Sequence, residues 1–153
     1  MKNKYEIKDQ LLKTCEEEIE KRIKSIKEVL KSVEESRNNE TKSSVGDKYE
    51  TGRSMMQMEE EKNKNQLYQA FRVKQELTKI DPGKISNKVE IGSLVETNKG
   101  NYYISIGIGK VKLDTGLYYC VSTSSPIGMK MMGKEIDDEI EFNGAKILIK
   151  GLC

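Results

Sequence analysis

Two carboxylates three positions apart, Asp47 and Glu50, are the residues of this sequence with the clearest chemical potential. Such a pair can together hold a hard divalent ion such as Mg²⁺ or orient a water molecule. The same spacing also fits a capping box, in which Asp47 caps a helix and Glu50 reaches back to it. Both interpretations stay open, because a capped Asp47 is also a rigidly positioned one.

The composition excludes several other kinds of chemistry. The 153 residues include no histidine, so Ser-His-Asp catalysis, Cys-His catalysis and histidine ligation of metals are excluded. The three cysteines, Cys15, Cys120 and Cys153, are far apart and include no Cys-x-x-Cys pair. They therefore predict neither a disulfide framework nor a four-ligand zinc site, and they favour a reducing, cytoplasmic setting. We expect Cys120 to be buried in a strand and Cys153 to be exposed.

The charge is nearly balanced, at a formal net +2 from 27 Lys and Arg against 25 Asp and Glu. Because the signs are interspersed, the bulk electrostatic footprint of a nucleic-acid-binding domain is missing, and any such contact should be local or made through a partner protein. Arg37, Lys48 and Arg53 are candidate contacts for a phosphate backbone such as that of RNA or for an acidic lining, or else solvated surface charges. No segment approaches the ~20 apolar residues that span a bilayer, so we expect a soluble protein without membrane contact.

The composition changes at Asp81-Pro82-Gly83, which predicts two domains, residues 1–80 and 81–153. The first has two of the twelve glycines and neither proline. An apolar stripe from residue 7 to residue 33 predicts a helix from about Tyr5 to Ser36, which is about 45 to 50 Å long and needs a partner helix. The polar segment 37–46 predicts a turn and a second helix from about Asp47, with a tip at about residues 37–50. The positions expected to face the partner helix are Ile7, Leu11, Cys15, Ile19, Ile23, Ile26, Leu30 and Val33, then Met55, Met58, Leu67, Tyr68, Phe71, Leu77 and Ile80.

The second half has the patterns of a small sheet domain with about five strands and one short helix. Apolar residues alternate around Ile104 and Tyr119, and Asn143-Gly144 predicts a tight β-hairpin. Ser125-Pro126 predicts a capped helix that ends at Gly133, and its methionines offer a docking surface for another protein. Gly107-Ile108-Gly109-Lys110 lacks the strand-loop-helix context of a phosphate loop. The predicted fold class is therefore α+β, an antiparallel coiled-coil hairpin followed by a small antiparallel sheet domain.

This arrangement resembles the GreA/GreB family of bacterial transcript-cleavage factors over almost the whole chain. The family's tip motif Gly-Asp-x-x-Glu is met by Gly46, Asp47 and Glu50. Its C-terminal Ser-Pro-Ile, Gly-Lys-Glu and acidic-pair segments are met at residues 125–127, 133–135 and 137–138. The family's Asn-Ala-Glu-Tyr after the tip is replaced here by Thr51-Gly52-Arg53-Ser54, which indicates a divergent paralogue.

The resemblance implies a fold, a partner and a site. It implies an FKBP-like second domain and a coiled-coil tip that enters the secondary channel of bacterial RNA polymerase. Asp47 and Glu50 would help hold the polymerase's second Mg²⁺ and its attacking water, and the polymerase would then cleave the backtracked RNA near its nascent 3′ end. Ser125, Pro126 and Ile127 would grip the polymerase rim. The resemblance implies a factor with no turnover and no cofactor of its own, which we expect to be a monomer when free.

Two alternatives stay open. A channel-binding inhibitor would keep the fold and the docking but lack cleavage activity. A non-catalytic interaction module would use the coiled coil and the FKBP-like domain as an adaptor, with Asp47 and Glu50 acting only as a helix cap.

Overall fold

The computed structural model describes residues 3–41 and 46–153, and it describes side chains for residues 3–39 and 52–153. Two long helices come first, and six strands with one short helix follow, so the predicted fold class is confirmed. Among the described residues, no helix is both long and apolar enough to cross a membrane. The elements are α1 Lys4–Thr41, α2 Gly46–Thr78, β1 Leu94–Thr97, β2 Gly100–Ser105, β3 Gly109–Leu113, β4 Gly116–Ser122, α3 Pro126–Met131, β5 Glu139–Phe142 and β6 Ala145–Leu152.

The apolar stripe predicted for α1 is confirmed. Its members are buried from Ile7 to Ile23 and half-buried from Ile26 to Val33, so burial decreases along the helix. The helix itself ends at Thr41 and not at the predicted Ser36. Asn and Ser cost only about 0.7 kcal/mol or less each inside a helix, so this polar segment does not force an end.

The stripe predicted for α2 is partly wrong. Met55, Met58, Tyr68 and Phe71 are exposed, although the Phe71 ring still lies 5.6 Å from the Nζ atom of Lys27 on α1. The buried side chains of this helix include Ala70 and Leu77, as well as the polar Asn63. Hydrophobic character was therefore a poor guide to the inner face of α2.

The chain forms two compact units. One comprises Ile19–Gln75, the larger part of the two long helices. The other comprises Met1–Glu18 together with Glu76–Cys153, so it joins the start of α1 to the sheet. The predicted boundary at residue 81 follows composition, whereas these units follow packing.

The six-stranded sheet has the order β3-β4-β2-β1-β6-β5. Its neighbouring strands are antiparallel except for β2 and β4, so the sheet is mostly antiparallel, as predicted, with one parallel pair. The reason is that the hairpin of β3 and β4 folds back with β4, not β3, beside β2. The sixth strand, missed in the sequence, is the short β1.

Each face of the sheet buries a different set of side chains. On one face, helix α3 contributes Ile127 and Met131 to a core with Val95, Ile104 and Ile149. On the other face, the start of α1 packs against the sheet, where the Sγ atom of Cys15 lies 3.2 Å from the Oγ atom of Ser105. Alternate residues of β2 therefore serve opposite cores, as the period of a strand requires.

All three cysteines are buried and free. The burial of Cys120 confirms the prediction, whereas the expected exposure of Cys153 is wrong. The backbone N–H and C=O groups of Cys153 pair with those of Leu94, which extends the contact between β6 and β1 and keeps the residue covered. A hydrogen bond with Cys15 and burial both raise the pKa of the Cys120 thiol, which fits a structural role for it.

The predicted tight hairpin is confirmed at Asn143-Gly144, which joins β5 to β6. Both residues have positive φ, at 50° and 78°, as a type I′ turn requires. Asparagine and glycine tolerate this conformation better than other residues, which is why the dipeptide predicted the turn.

Gly128 in helix α3 is a position where we expect a large effect of one methyl group. A Cβ atom there would lie 1.9 Å from the carbonyl oxygen of Ser122 and 2.8 Å from the Oγ atom of Ser125. Gly128→Ala should lower the free energy of unfolding by about 3 kcal/mol, because the helix must move away from the strand. Gly107→Ala is the control: a Cβ there meets nothing within 4 Å, so its change should stay within about 0.5 kcal/mol. Equal effects in denaturant titrations would contradict this packing.

Lys8 is a buried lysine, with 2% of its surface exposed and its Nζ atom donating to the Lys84 carbonyl at 3.0 Å. Burial lowers its pKa from 10.5, although negative charge at Cys153, Asp81 and Glu90 opposes this. Between the folded and unfolded pKa values the unfolded chain holds the proton that the folded chain has lost, so stability rises with pH there.

We therefore expect the unfolding free energy of the parent, relative to a Lys8→Met variant, to rise as the pH approaches 10.5. Denaturant titrations over this range measure the difference. The exposed Lys21→Met variant controls for general loss of positive charge. A difference between parent and Lys8→Met that does not change with pH would contradict the effect of burial.

Candidate functional site

The two long helices form an antiparallel hairpin within the unit Ile19–Gln75. Glu20 forms an ion pair with Lys74, Lys27 lies 5.6 Å from the ring centroid of Phe71, and further along the hairpin Arg37 pairs with Glu60. Residue numbers rise along α1 as they fall along α2, which is the antiparallel arrangement. The end of α1 and the start of α2 therefore lie at the same end of the hairpin.

Asp47 and Glu50 lie in the first turn of α2, which begins at Gly46. Their backbone positions match the predicted placement at the turn between the two helices. Carboxylates are favoured in the first turn of a helix because unpaired N–H groups give it a partial positive charge. The side chains of both residues, and that of Lys48, lie outside the described residues, so metal ligation, capping and RNA contact stay predictions here.

The inner positions of α2 follow a heptad pattern that the sequence analysis missed. Residues 56, 60, 63, 67 and 70 are spaced by four, three, four and three, and all are buried or half-buried. Two of them are polar: the amide of Asn63 donates to the Glu59 carbonyl at 2.9 Å, and the Glu60 side chain is 16% exposed. The heptad spacing is present in the sequence, but some of its positions hold polar residues. A search for apolar positions alone therefore misses it.

Glu60 connects the two helices near the tip. Its carboxylate accepts a hydrogen bond from Arg37 on α1 and pairs with Lys64 on α2 at 3.1 Å. Arg37, predicted as an RNA or channel contact, thus has a partner inside the hairpin. Arg53, predicted for the same role, lies on the exposed surface of α2. Polar residues at the seam of a coiled coil can fix its register, and the Arg37–Glu60 pair is placed to do so.

The second predicted site, Ser125-Pro126-Ile127, forms the start of helix α3. The Ser125 hydroxyl caps the helix by accepting from the Gly128 N–H at 3.0 Å, and it donates to the Ser122 carbonyl at 2.7 Å. Pro126 is the first helical residue, as predicted, and is exposed, whereas Ile127 is buried in the core. Ile127 therefore anchors the helix in this structure, and Pro126 is the member of the three that faces solvent.

The methionines in and next to α3 are divided between the core and the surface. Met131 is fully buried, whereas Met129 and Met132 are 61% and 36% exposed. Ile136, which follows soon after, is 48% exposed. Met129 lies within the helix, Met132 at its C-terminal cap and Ile136 in the loop that follows, so adaptable apolar side chains are exposed along and after α3.

The Gly-Lys-Glu and acidic-pair segments form the loop between α3 and β5. Gly133 has a φ of 78°, which lets the chain turn after the helix. The carboxylate of Asp138 accepts from the Glu135 N–H at 2.8 Å, and the Asp137 N–H donates to the Ile149 carbonyl. This acidic pair therefore has a structural role in closing the loop onto β6.

The structure brings no metal-binding cluster together in the part of the chain it describes: there, no group of three or more Cys, Asp and Glu side chains could hold an ion. Asp47 and Glu50 fall outside that search. A pair of carboxylates is also fewer ligands than Mg²⁺ takes, so these two residues would have to share an ion with another molecule.

Comparison with known proteins gives distant likeness to solved structures. No protein-family model and no curated protein matches the chain. A solved structure titled "Structure of the transcription factor Gfh1" is similar at 18% sequence identity, over 99% of this chain and 96% of that one, with a TM-score of 0.30. A score this low supports no conclusion about fold or function, so the function below is argued from this chain's own residues.

The role of Glu60 can be tested by its removal. Glu60→Ala leaves Arg37 and Lys64 without their shared carboxylate, and we expect it to lower the stability of the hairpin by about 1 kcal/mol. The neighbouring Glu61→Ala removes the same charge from an exposed position and should change stability by no more than about 0.5 kcal/mol. Thermal unfolding followed by the helical circular dichroism signal measures both. Equal losses for the two variants would show that the cross-helix contact adds nothing.

Proposed function

We propose that this chain is a transcription elongation factor of the Gre type. The hairpin end that carries Asp47 and Glu50 would enter the secondary channel of bacterial RNA polymerase and stimulate the polymerase's own cleavage of backtracked RNA. The observation that carries the proposal is the position of Gly46-Asp47-x-x-Glu50 in the first turn of α2, where the antiparallel hairpin reverses.

The hairpin supports this function because its length and its internal contacts suit insertion into a channel. Helix α1 has 38 residues and helix α2 has 33. The Glu60 contacts tie the two helices together near the end that would have to hold its shape inside a channel. A helix cap does not require a hairpin of this length. The position of the carboxylate pair at the end of the hairpin therefore favours a function inside a partner protein.

The carboxylates would act by completing a site that belongs to the polymerase. Asp47 and Glu50 would supply two of the oxygen ligands of a shared Mg²⁺ and hold the attacking water by accepting its hydrogen bonds. The bound ion would lower the pKa of that water and stabilise charge on the scissile phosphate. We accordingly expect that this protein has no turnover by itself and binds no cofactor when the polymerase is absent.

The unit that contains the sheet would provide affinity for the polymerase surface. Pro126 at the start of α3, Met129 within it and Met132 at its C-terminal cap are exposed, and Ser125 fixes the start of the helix by capping it. Exposed apolar side chains on a rigid element are typical of protein-docking surfaces. We propose that this surface grips the polymerase rim.

One observation favours a second candidate, a channel-binding inhibitor. The segment Thr51-Gly52-Arg53-Ser54 has no carboxylate where the family sequence has a third acid. It also has Gly52 inside a helix, at about 1 kcal/mol relative to Ala. A weaker ligand set would leave docking intact while reducing cleavage.

Cleavage in stalled, backtracked complexes of the cognate polymerase tests the proposal. The parent should shorten the RNA at its 3′ end, and Asp47→Asn and Glu50→Gln should slow this by roughly 10²-fold or more. Raising the Mg²⁺ concentration should partly restore the variants, because each has lost one ligand. Glu61→Ala is the control that removes a carboxylate from the stem and should leave the rate unchanged.

Binding to the polymerase is measured separately for every variant. Bound parent that slows elongation without shortening RNA would reject the cleavage factor in favour of the inhibitor. Variants that lose only about 1 kcal/mol of stability, as for a lost cap, with no change in any polymerase assay would favour the interaction module.

A further inference from the structure

Part of the sheet face that carries α3 is left uncovered by that helix. The helix packs against the end of β4 and against β5, and it covers the core around Val95, Ile104 and Ile149. Toward the other edge, at β3 and β4, lies a group of side chains that includes the 41% exposed Leu117. We call this group the tyrosine platform, and its residues are Tyr102, Lys110, Lys112, Leu117 and Tyr119.

Two tyrosines form the centre of the platform. Tyr102 on β2 and Tyr119 on β4 are direct partners in the parallel pair, so their side chains share a face. Their rings are stacked, with centroids 5.4 Å apart and an interplanar angle of 29°. Both side chains are half-buried, and a Cβ atom at Gly100 would lie 3.2 Å from the Tyr119 ring, so this glycine leaves room for it.

Two lysines border the tyrosines on the edge strand β3. The register pairs Lys110 with Tyr119 and Lys112 with Leu117, so both lysines lie on the same face as the rings. Both are exposed, and neither has an ion-pair partner among the residues that the structure describes. The platform thus combines stacked aromatic rings with two cations that no carboxylate of the described chain neutralises.

We propose that the tyrosine platform binds single-stranded nucleic acid, with bases stacking on Tyr102 and Tyr119 and phosphates contacting Lys110 and Lys112. Aromatic rings on an open sheet surface, bordered by lysines, are the general means of binding single strands without sequence preference. The site lies in the unit that contains the sheet, away in sequence from Asp47 and Glu50. It does not depend on the proposed cleavage function, since it requires neither polymerase nor Mg²⁺.

The charges favour nucleic acid over a peptide as the occupant. Stacked tyrosines also bind proline-rich peptides, but a proline-rich peptide carries no negative charge that Lys110 and Lys112 would bind. Burial and the neighbouring Tyr119 raise the pKa of Tyr102, so its hydroxyl stays neutral and does not repel a phosphate. The net charge of the chain is only +2, so binding by this platform would be local, as the sequence analysis requires of any direct contact.

Fluorescence anisotropy of a labelled single-stranded RNA of about 12 nucleotides, titrated with the full chain, tests the proposal. Tyr119→Leu keeps an apolar side chain and removes the ring, and it should weaken binding roughly 5- to 150-fold. Lys110→Gln with Lys112→Gln should weaken binding and reduce the slope of log affinity against log salt by about 1.4, for two lost phosphate contacts. Circular dichroism verifies that each variant is folded.

A matched pair of lysines on another strand provides the control. Lys146→Gln with Lys150→Gln removes the same charge from exposed positions on β6 and should leave binding and its salt slope unchanged. Single-stranded DNA of the same sequence should bind within a few-fold of RNA, and a duplex should bind much more weakly because its bases are not free to stack.

Several outcomes would overturn the proposal. Equal loss in the β6 control would mean that binding reflects general positive charge. Equal binding of duplex and single strand would remove the role of stacking. No binding of single strands, together with a Tyr119-dependent chemical-shift change on adding a proline-rich peptide, would assign the platform to peptides.

Discussion

Helix α1 buries its first turns against the sheet and continues without a break into the hairpin. Ile7, Leu11 and Cys15 belong to the unit that contains the sheet, whereas Ile19 and Ile23 belong to the hairpin unit. One apolar stripe therefore serves two different partners, a sheet face and then a helix. Because burial decreases toward Val33, the end of the hairpin depends more on polar contacts such as Arg37 with Glu60 than on an apolar seam.

The two faces of the sheet explain how so small an apolar fraction, 35% of the chain, still builds a core. Strand β2 alternates Tyr103 and Ser105 toward α1 with Tyr102 and Ile104 toward α3. Both faces are thus used over the middle of the sheet, whereas the edge near β3 and the side of β6 that carries Leu148 are more exposed. The same alternation that closes the two cores therefore creates the tyrosine platform at the edge.

Local sequence signals predicted the elements that depend on local physics. The spacing of α1, the capped start of α3 at Ser125 and the turn at Asn143-Gly144 each follow from residues that are neighbours in the chain. The inner face of α2 was predicted poorly, because Asn63 is satisfied by a backbone carbonyl and so can occupy a buried position that apolar patterning assigns to a hydrophobic residue. Strand β1 was missed because its four residues carry little periodicity of their own.

Features that depend on residues far apart in the chain could not be predicted from local sequence patterns. The burial of Cys153 follows from its pairing with Leu94, and the tyrosine platform follows from the parallel pairing of β2 with β4. For the predicted tip, the sequence placed Asp47 and Glu50 at the helix start where α2 begins. It did not predict that Arg37, one of the proposed channel contacts, pairs with Glu60 inside the hairpin.

The central claim is that the hairpin end reaches the RNA 3′ end inside the polymerase, and tethered cleavage measures this directly. The three native cysteines are buried, so a Lys48→Cys variant can be labelled selectively with an iron chelate that generates hydroxyl radicals. In backtracked complexes the account predicts strand scission confined to the 3′ end of the RNA and to polymerase segments around its active site. Scission only on the outer surface of the polymerase, with the protein still bound, would contradict it.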